Sequence, residues 1–458
     1  MESKPDSRTS SPTGTEVDKG GRFHFSQVVR SLIANRTARH VYLSLFDQVV
    51  ISLSNFLGAV YLARNVSATQ FGVYAVGFLL LRFVRALQEG LIVQPVNTLG
   101  AVLNSRDFKR YFGATLLFQL LLSVVISSGA AVGGKILTDL GNDTAGPTLF
   151  SLWFVFLSWP IQEFLRRAFY SRGDIPKAAL IGFISNTGRF IYLFWMGKQG
   201  SLDGAAGLDA IAWGAVLALI VGLWGARRYF TREIDLAGIW NTWIENWKSG
   251  RWVTGALLAH WVALEVYPLV VAGMISFAAT GAYRALENLV AAVHVILRAM
   301  DTFITPFAAR RYNREGINEL QKTLKWAYML GGIPILAILL ISLFFTVPLL
   351  KLFYEDAYLF MADGIVWLVI FYLLWFTYWP IQSAFKAIQL TRPLFTANLA
   401  AILCMFTLGL VAVHRWGVNG AYIGQGLNAL VINLVLWRAW LKVTKKELQP
   451  DVPPSPRL

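Results

Sequence analysis

The chain has 458 residues, 56% of them apolar, 14% aromatic and only 15% charged, with a mean hydropathy of +0.52. A soluble domain carries about 45–50% apolar and about 25% charged residues, so this composition excludes a water-soluble globular protein. The formal charge of +15 would suggest a nucleic-acid partner in a soluble chain, but its placement argues for a membrane topology and no nucleic acid.

Residues 1–20, rich in Ser, Thr, Pro and charge, read as a disordered tail with no cleavable signal peptide. In 21–40, Phe25, Val28, Val29, Leu32 and Ile33 recur at helical spacing beside Arg30, Arg36 and Arg39. That pattern predicts a basic amphipathic helix on the membrane surface, or else a helical extension of the first span.

A spanning helix needs about 20 mostly apolar residues. Twelve stretches qualify: 41–63, 72–98, 111–136, 148–170, 176–197, 207–226, 252–273, 281–308, 326–350, 360–385, 393–413 and 417–437. The connections are too short to hold a soluble catalytic domain. With a cytoplasmic N-terminus, the inner segments hold 31 Lys and Arg and the outer segments five. Such an asymmetry predicts cytoplasmic termini and a multi-pass inner-membrane protein. Trp240, Trp243, Trp247 and Trp252 suit the interfacial aromatic belt before span 7.

The two halves repeat at an offset of about 210–220 residues. Ser67 and Gly72-Val73-Tyr74 at span 2 match Ser276 and Gly281-Ala282-Tyr283 at span 8. Trp159-Pro160-Ile161-Gln162 in span 4 matches Trp379-Pro380-Ile381-Gln382 in span 10, and a bend is expected at each proline. The expected fold class is all-α: a polytopic membrane protein of twelve transmembrane helices in two six-helix lobes, 41–230 and 252–440, related by a parallel pseudo-two-fold. A linker, 231–251, joins the lobes and a cytoplasmic tail, 441–458, follows.

Ionisable groups within a bilayer cost about 2.5–3.5 kcal/mol each and usually face a cavity. In span 8, Arg284, Glu287, His294, Arg298 and Asp301 fall on one helical face, and in span 2 Arg82, Arg85 and Glu89 do the same. Span 1 adds Asp47, Gln48 and Asn55, and span 7 adds His260 and Glu265. Spans 1, 2, 7 and 8 should therefore surround one aqueous cavity, with Arg189 of span 5 behind it. The alternative is internal pairing at i,i+3 or i,i+4, as in Arg284 with Glu287, Arg298 with Asp301 and Arg85 with Glu89. Glu163 has Arg166 and Arg167 as evident partners. No P-loop, nucleophile elbow or His-Glu-x-x-His helix occurs. Cys404 and five histidines offer no multi-cysteine or zinc site. No enzyme activity, metal or cofactor is expected.

Phe46-Asp47-Gln48, Ser54-Asn55-Phe56, Ala63-Arg64 and Phe71-Gly72-Val73-Tyr74 together resemble the opening of polysaccharide-type flippases of the multidrug/oligosaccharidyl-lipid/polysaccharide superfamily. The resemblance implies alternating-access translocation of a polyprenyl-pyrophosphate-linked oligosaccharide across the bacterial inner membrane for polysaccharide biosynthesis. It implies a monomer among membrane lipids, working with a polymerase and export machinery. The chain ends after span 12, unlike the fourteen-span peptidoglycan-precursor branch. Arginine forks suit phosphate, so Arg82, Arg85, Arg284 and Arg298, with Asn55, are the candidate substrate residues. Asp47, Glu89, Glu265, Glu287 and Asp301 are candidates for ion coupling. Those same acids would serve a proton- or sodium-coupled multidrug efflux antiporter, the second reading. A membrane glycosyltransferase or ligase is a third reading, with Glu355, Asp356 and Asp363 as its only foothold.

Overall fold

The computed structural model describes residues 36–231 and 236–448. The expected tail and most of the expected surface helix therefore lie outside the described residues, as do 449–458. Fourteen helices and no strand occur among the described residues. The first lobe holds α1 (Arg36–Asn65), α2 (Ala68–Gln88), α3 (Ser105–Asp139), α4 (Ala145–Ser171), α5 (Ile175–Lys198) and α6 (Gly204–Ala226). The second holds α7 (Leu236–His260), α8 (Tyr267–Met274), α9 (Phe277–Leu289), α10 (Ala292–Phe344), α11 (Thr346–Tyr354), α12 (Ile365–Ala387), α13 (Arg392–Cys404) and α14 (Leu410–Leu448).

These fourteen helices make twelve passes because several spans are broken and two pairs run together. Gly316 takes φ +73° and Gly417 φ +57°, a left-handed conformation that costs glycine little. Each lets the chain turn between consecutive spans, inside α10 and α14 respectively. Met300 and Gly331, on opposite sides of the first turn, meet so closely that a Cβ on Gly331 would lie 2.1 Å from the Met300 sulfur. Beyond the membrane, the carboxylate of Glu319 takes Lys322 and Arg311, and these hydrogen bonds hold its carboxyl below the usual range.

Six helical segments are apolar enough to cross a bilayer by composition alone, and the α7–α8 pair, bent by 48°, makes a seventh. Spans 1, 2, 5 and 8 are not among these segments; span 8 is split, its first helix, α9, having 13 residues. α3 and the second half of α10 turn Val125, Val132, Met329, Ile333 and Phe344 outward, where lipid is the natural solvent.

Two helices start earlier than the expected spans. Residues 236–251, expected as linker, are the first turns of α7, with Trp240 and Trp247 exposed while Trp243 donates to the Ala114 carbonyl at 2.9 Å. Residues 36–40 belong to α1. Helices α4 and α12 both run on through their prolines, each of which removes one backbone N–H. The interruptions are instead π-turns at Glu89–Val93, Val96–Gly100, Trp261–Glu265 and Met405–Gly409, and a break at Val290–Ala291 between α9 and α10.

The lobes join along α2 and α9, whose N-termini are capped alike. Ser67 accepts from the Gln70 N–H at 3.3 Å, and Ser276 from that of Ala279 at 3.1 Å. One turn on, Gly72 and Gly281 meet the opposite lobe's backbone. A Cβ on Gly72 would lie 1.7 Å from the Phe277 carbonyl oxygen, and one on Gly281 2.4 Å from that of Ala68. Beside this contact, Arg64 at the end of α1 donates to the carbonyls of Leu352 and Phe353, 2.5 and 2.8 Å away. These are the last carbonyls of α11, and they favour a cation. These contacts hold the two lobes together at this end of α2 and α9, as a seal would. Gly72→Val is expected to prise that seal open and favour the opposite conformation without unfolding either lobe. A cysteine placed at position 68 should then label faster with a membrane-impermeant thiol reagent; an unchanged rate would refute the seal.

Candidate substrate chambers

Two chambers share Arg82 as a wall residue: the first lies within the first lobe, with Arg298 its one described wall residue from the second, and the second lies between the lobes. The first is lined by Gln48 and Asn55 of α1, Arg82 and Arg85 of α2, Gln162, Glu163 and Arg166 of α4, Arg189 of α5 and Arg298 of α10. Five guanidiniums thus face it against one carboxylate. The second is narrower and is lined by Arg82, His260, Glu265, Arg284, Glu287, His294, Trp375 and Gln425 among others.

The first chamber's only wall carboxylate is already neutralised. Glu163 accepts from Arg166 at 2.7 and 2.8 Å and from Arg167 at 2.8 Å. Arg166 also donates to Asp47 at 2.7 Å, and the Tyr170 hydroxyl donates to the same Asp47 oxygen at 2.5 Å. The other Asp47 oxygen is buried without a partner. Arg189 donates only to neutral groups, the Asn55 amide oxygen at 2.8 Å and the Tyr74 hydroxyl at 2.7 Å, and its Nε has no partner. Arg85 makes neither an ion pair nor a hydrogen bond with the described residues; the carboxylates whose field it feels are those of Glu163 and Glu89.

In the second chamber the charges cancel. Arg82 reaches across the lobes to Glu265 at 2.6 Å, Arg284 pairs with Glu287, and His294 shares a 2.8 Å hydrogen bond with the Tyr372 hydroxyl.

The single cavity expected from helical arithmetic is therefore two. Arg85, Arg298 and Asn55 lie on the basic chamber, Arg284, Glu265 and Glu287 on the neutral one, and Arg82 on both. Glu89 opens a π-turn and faces Arg167 at 3.8 Å rather than Arg85. Asp47 is buried against Arg166 instead of lining a cavity. Asp301 has no described side chain. The candidate residues omitted Arg166 and treated Arg189 as a background group. Gln162, the last residue of the repeated Trp-Pro-Ile-Gln, was the one signal that α4 reaches the chamber.

The Arg82–Glu265 pair is the charged link between lobes, about a quarter exposed on each side chain. A double-mutant cycle with Arg82→Ala and Glu265→Ala should give a coupling of about 0.5–3 kcal/mol in unfolding free energy. Additive effects would mean that solvent screens the pair.

No known family's profile matches this chain, and neither does any curated protein. Its fold is shared by solved transporters. The inward-facing conformation of a multidrug resistance MATE family transporter of the MOP superfamily aligns with a TM-score of 0.73 at 13% identity, over 89% of this chain and 99% of that one. An outward-facing conformation of such a transporter aligns with a TM-score of 0.63 at 16% identity, over 91% and 98%. The Vibrio cholerae MATE transporter VcmN, as its D35N mutant, gives 0.62 at 12% identity, over 92% and 98%. The fold is thus the two-lobed, six-plus-six helical architecture of MATE transporters, and the protein is a multi-pass membrane protein.

Proposed function

We propose that this protein is an alternating-access transporter whose cargo is an anionic amphiphile, its phosphate-bearing headgroup held in the first chamber while its lipid tail stays in the bilayer. The observation that carries this reading is the lining of that chamber, where five arginines face one carboxylate that is itself already paired. Guanidinium forks bind phosphate oxygens in pairs, and a desolvated chamber strengthens each bond. The cargo class this fits is a polyprenyl-pyrophosphate-linked oligosaccharide, moved across the inner membrane for cell-surface polysaccharide synthesis. The chain would act as a monomer, with its termini in the cytoplasm, supplying a polymerase and export machinery. Asp47, with one buried oxygen unsatisfied, is the first candidate among the acids for coupling to an ion.

The second reading is multidrug efflux. It is favoured by the fold's likeness to transporters described as multidrug resistance proteins, and its cationic cargo would rely on the acids of the second chamber, Glu265 and Glu287.

Proteoliposomes separate the two. A polyprenyl-pyrophosphate disaccharide ending in galactose, confined to the inner leaflet, should become accessible to external galactose oxidase when the protein is present. Ethidium should not be moved. Ethidium transport with no flipping would overturn the first reading in favour of the second.

A further inference from the structure

Gly316 folds α10 back on itself, so that spans 8 and 9 stand side by side with a groove of about 550 Å³ between them. That volume is ample for a small ligand, whose sites usually measure about 300–1,000 Å³. Met300 and Ile304, both buried, form its floor together with Ile296 and Phe307, while Trp326 and Leu330, each more than half exposed, form the opposite wall. A hydrocarbon-lined space loses dispersion contacts wherever nothing packs against it. The one charged group among the residues that line the groove is Arg310, exposed at one end. Its neighbour Arg311 is taken by Glu319, whereas Arg310 has no carboxylate partner among the described residues. Trp326 stands one turn from it, with its ring centroid 6.2 Å from that of Phe307, and tryptophan beside basic residues is the usual mark of the headgroup level. Along the helix, at 1.5 Å per residue, Ile296 and Arg310 are about 21 Å apart. One leaflet offers about 15 Å of hydrocarbon. A chain entering at Arg310 would therefore reach the middle of the bilayer without leaving the groove.

We propose that this groove holds one acyl chain of an anionic glycerophospholipid whose phosphate rests on Arg310, a resident lipid rather than cargo. A guanidinium fork suits the phosphate oxygens, and the run Arg310, Arg311 and Arg314 draws anionic lipid to this end of the groove. The position of Arg298 separates the site from the cargo. That residue, the second lobe's contribution to the first chamber, lies about 160–180° around the same helix from Met300 and Phe307 at about 100° per residue. A lipid with its phosphate in that chamber would have to wrap around span 8 to lay its tail here. The lipid site thus stands whether or not the cargo is the one proposed above.

The test uses the full chain in detergent, loaded with phosphatidylglycerol or phosphatidylcholine, with retained lipid counted by native mass spectrometry. Wild-type protein should hold one phosphatidylglycerol in preference to phosphatidylcholine. Arg310→Gln should lower phosphatidylglycerol retention about 5-fold, the weight of one basic residue beside an anionic lipid surface. Leu330→Trp, which fills the groove from an exposed position, should lower retention of both lipids. A single gel-filtration peak for each variant reports an intact fold. A phosphatidylglycerol with a diazirine in its chain should label 326–331 in the wild type and spare it in Leu330→Trp. Equal retention of the two lipids by the wild type, retention unchanged in either variant, or labelling confined to other segments would overturn the site. Displacement of the held lipid by a polyprenyl-pyrophosphate disaccharide would make the groove the path of the cargo's tail, overturning the resident lipid while leaving the transport reading intact.

Discussion

Arg166→Ala is expected to lower the unfolding free energy by about 3–5 kcal/mol, the usual cost of stranding buried charge. Arg166 is 7% exposed, and the two carboxylates it neutralises, Asp47 and Glu163, are 4% and 5% exposed. Gly182 lets α5 approach the carboxylate: a Cβ there would lie 2.4 Å from the orphan Asp47 oxygen. Glu163 would keep Arg167, but Asp47 would keep only the Tyr170 hydroxyl. Denaturant unfolding in mixed micelles measures the loss. The triple variant Asp47→Asn, Glu163→Gln, Arg166→Met, which removes all three charges at similar volume, should recover most of it, because breaking a buried pair costs more than replacing it whole. A loss below about 0.5 kcal/mol, the level of an ordinary surface change, would show the network to be solvated.

That network is also where the sequence was hardest to read. Spans could be counted because a bilayer imposes length and apolarity on every crossing helix, and basic loops alternate with poor ones. The repeat could be read because Ser67 with Ser276, and Gly72 with Gly281, do the same jobs at equivalent places: one pair caps, the other lets two backbones touch. The polar faces were legible only locally. Helical arithmetic placed Arg284, Glu287, His294 and Arg298 on one stripe, yet the break at Val290–Ala291 falls in the middle of it. A π-turn inserts one residue, rotating the remainder of the helix by about 100°, and Glu89 sits at the start of such a turn. Arg166 meets Asp47 across 119 positions, and Arg189 meets Asn55 across 134. Those partners are set by how α1, α4 and α5 pack, which no local period encodes.

The distinction between paired and unspent arginines sets the largest expected effect on transport. Arg82 and Arg284 have carboxylate partners, so removing either leaves Glu265 or Glu287 stranded, and any lost transport could be structural. Arg85 has no such partner, and its removal strands nothing: Glu163 keeps Arg166 and Arg167. Arg85→Ala should therefore leave the amount of folded protein in the membrane unchanged while cutting transport of the pyrophosphate-linked sugar about 10- to 150-fold. That range is the loss of a charge-assisted hydrogen bond worth about 1.5–3 kcal/mol, at 1.4 kcal/mol for each factor of ten. Arg85→Lys should recover only part, since an ammonium keeps the charge but not the planar fork. A cationic dye should be moved by neither variant, nor by the wild type. Wild-type flipping by Arg85→Ala would show that the basic chamber does not hold the headgroup.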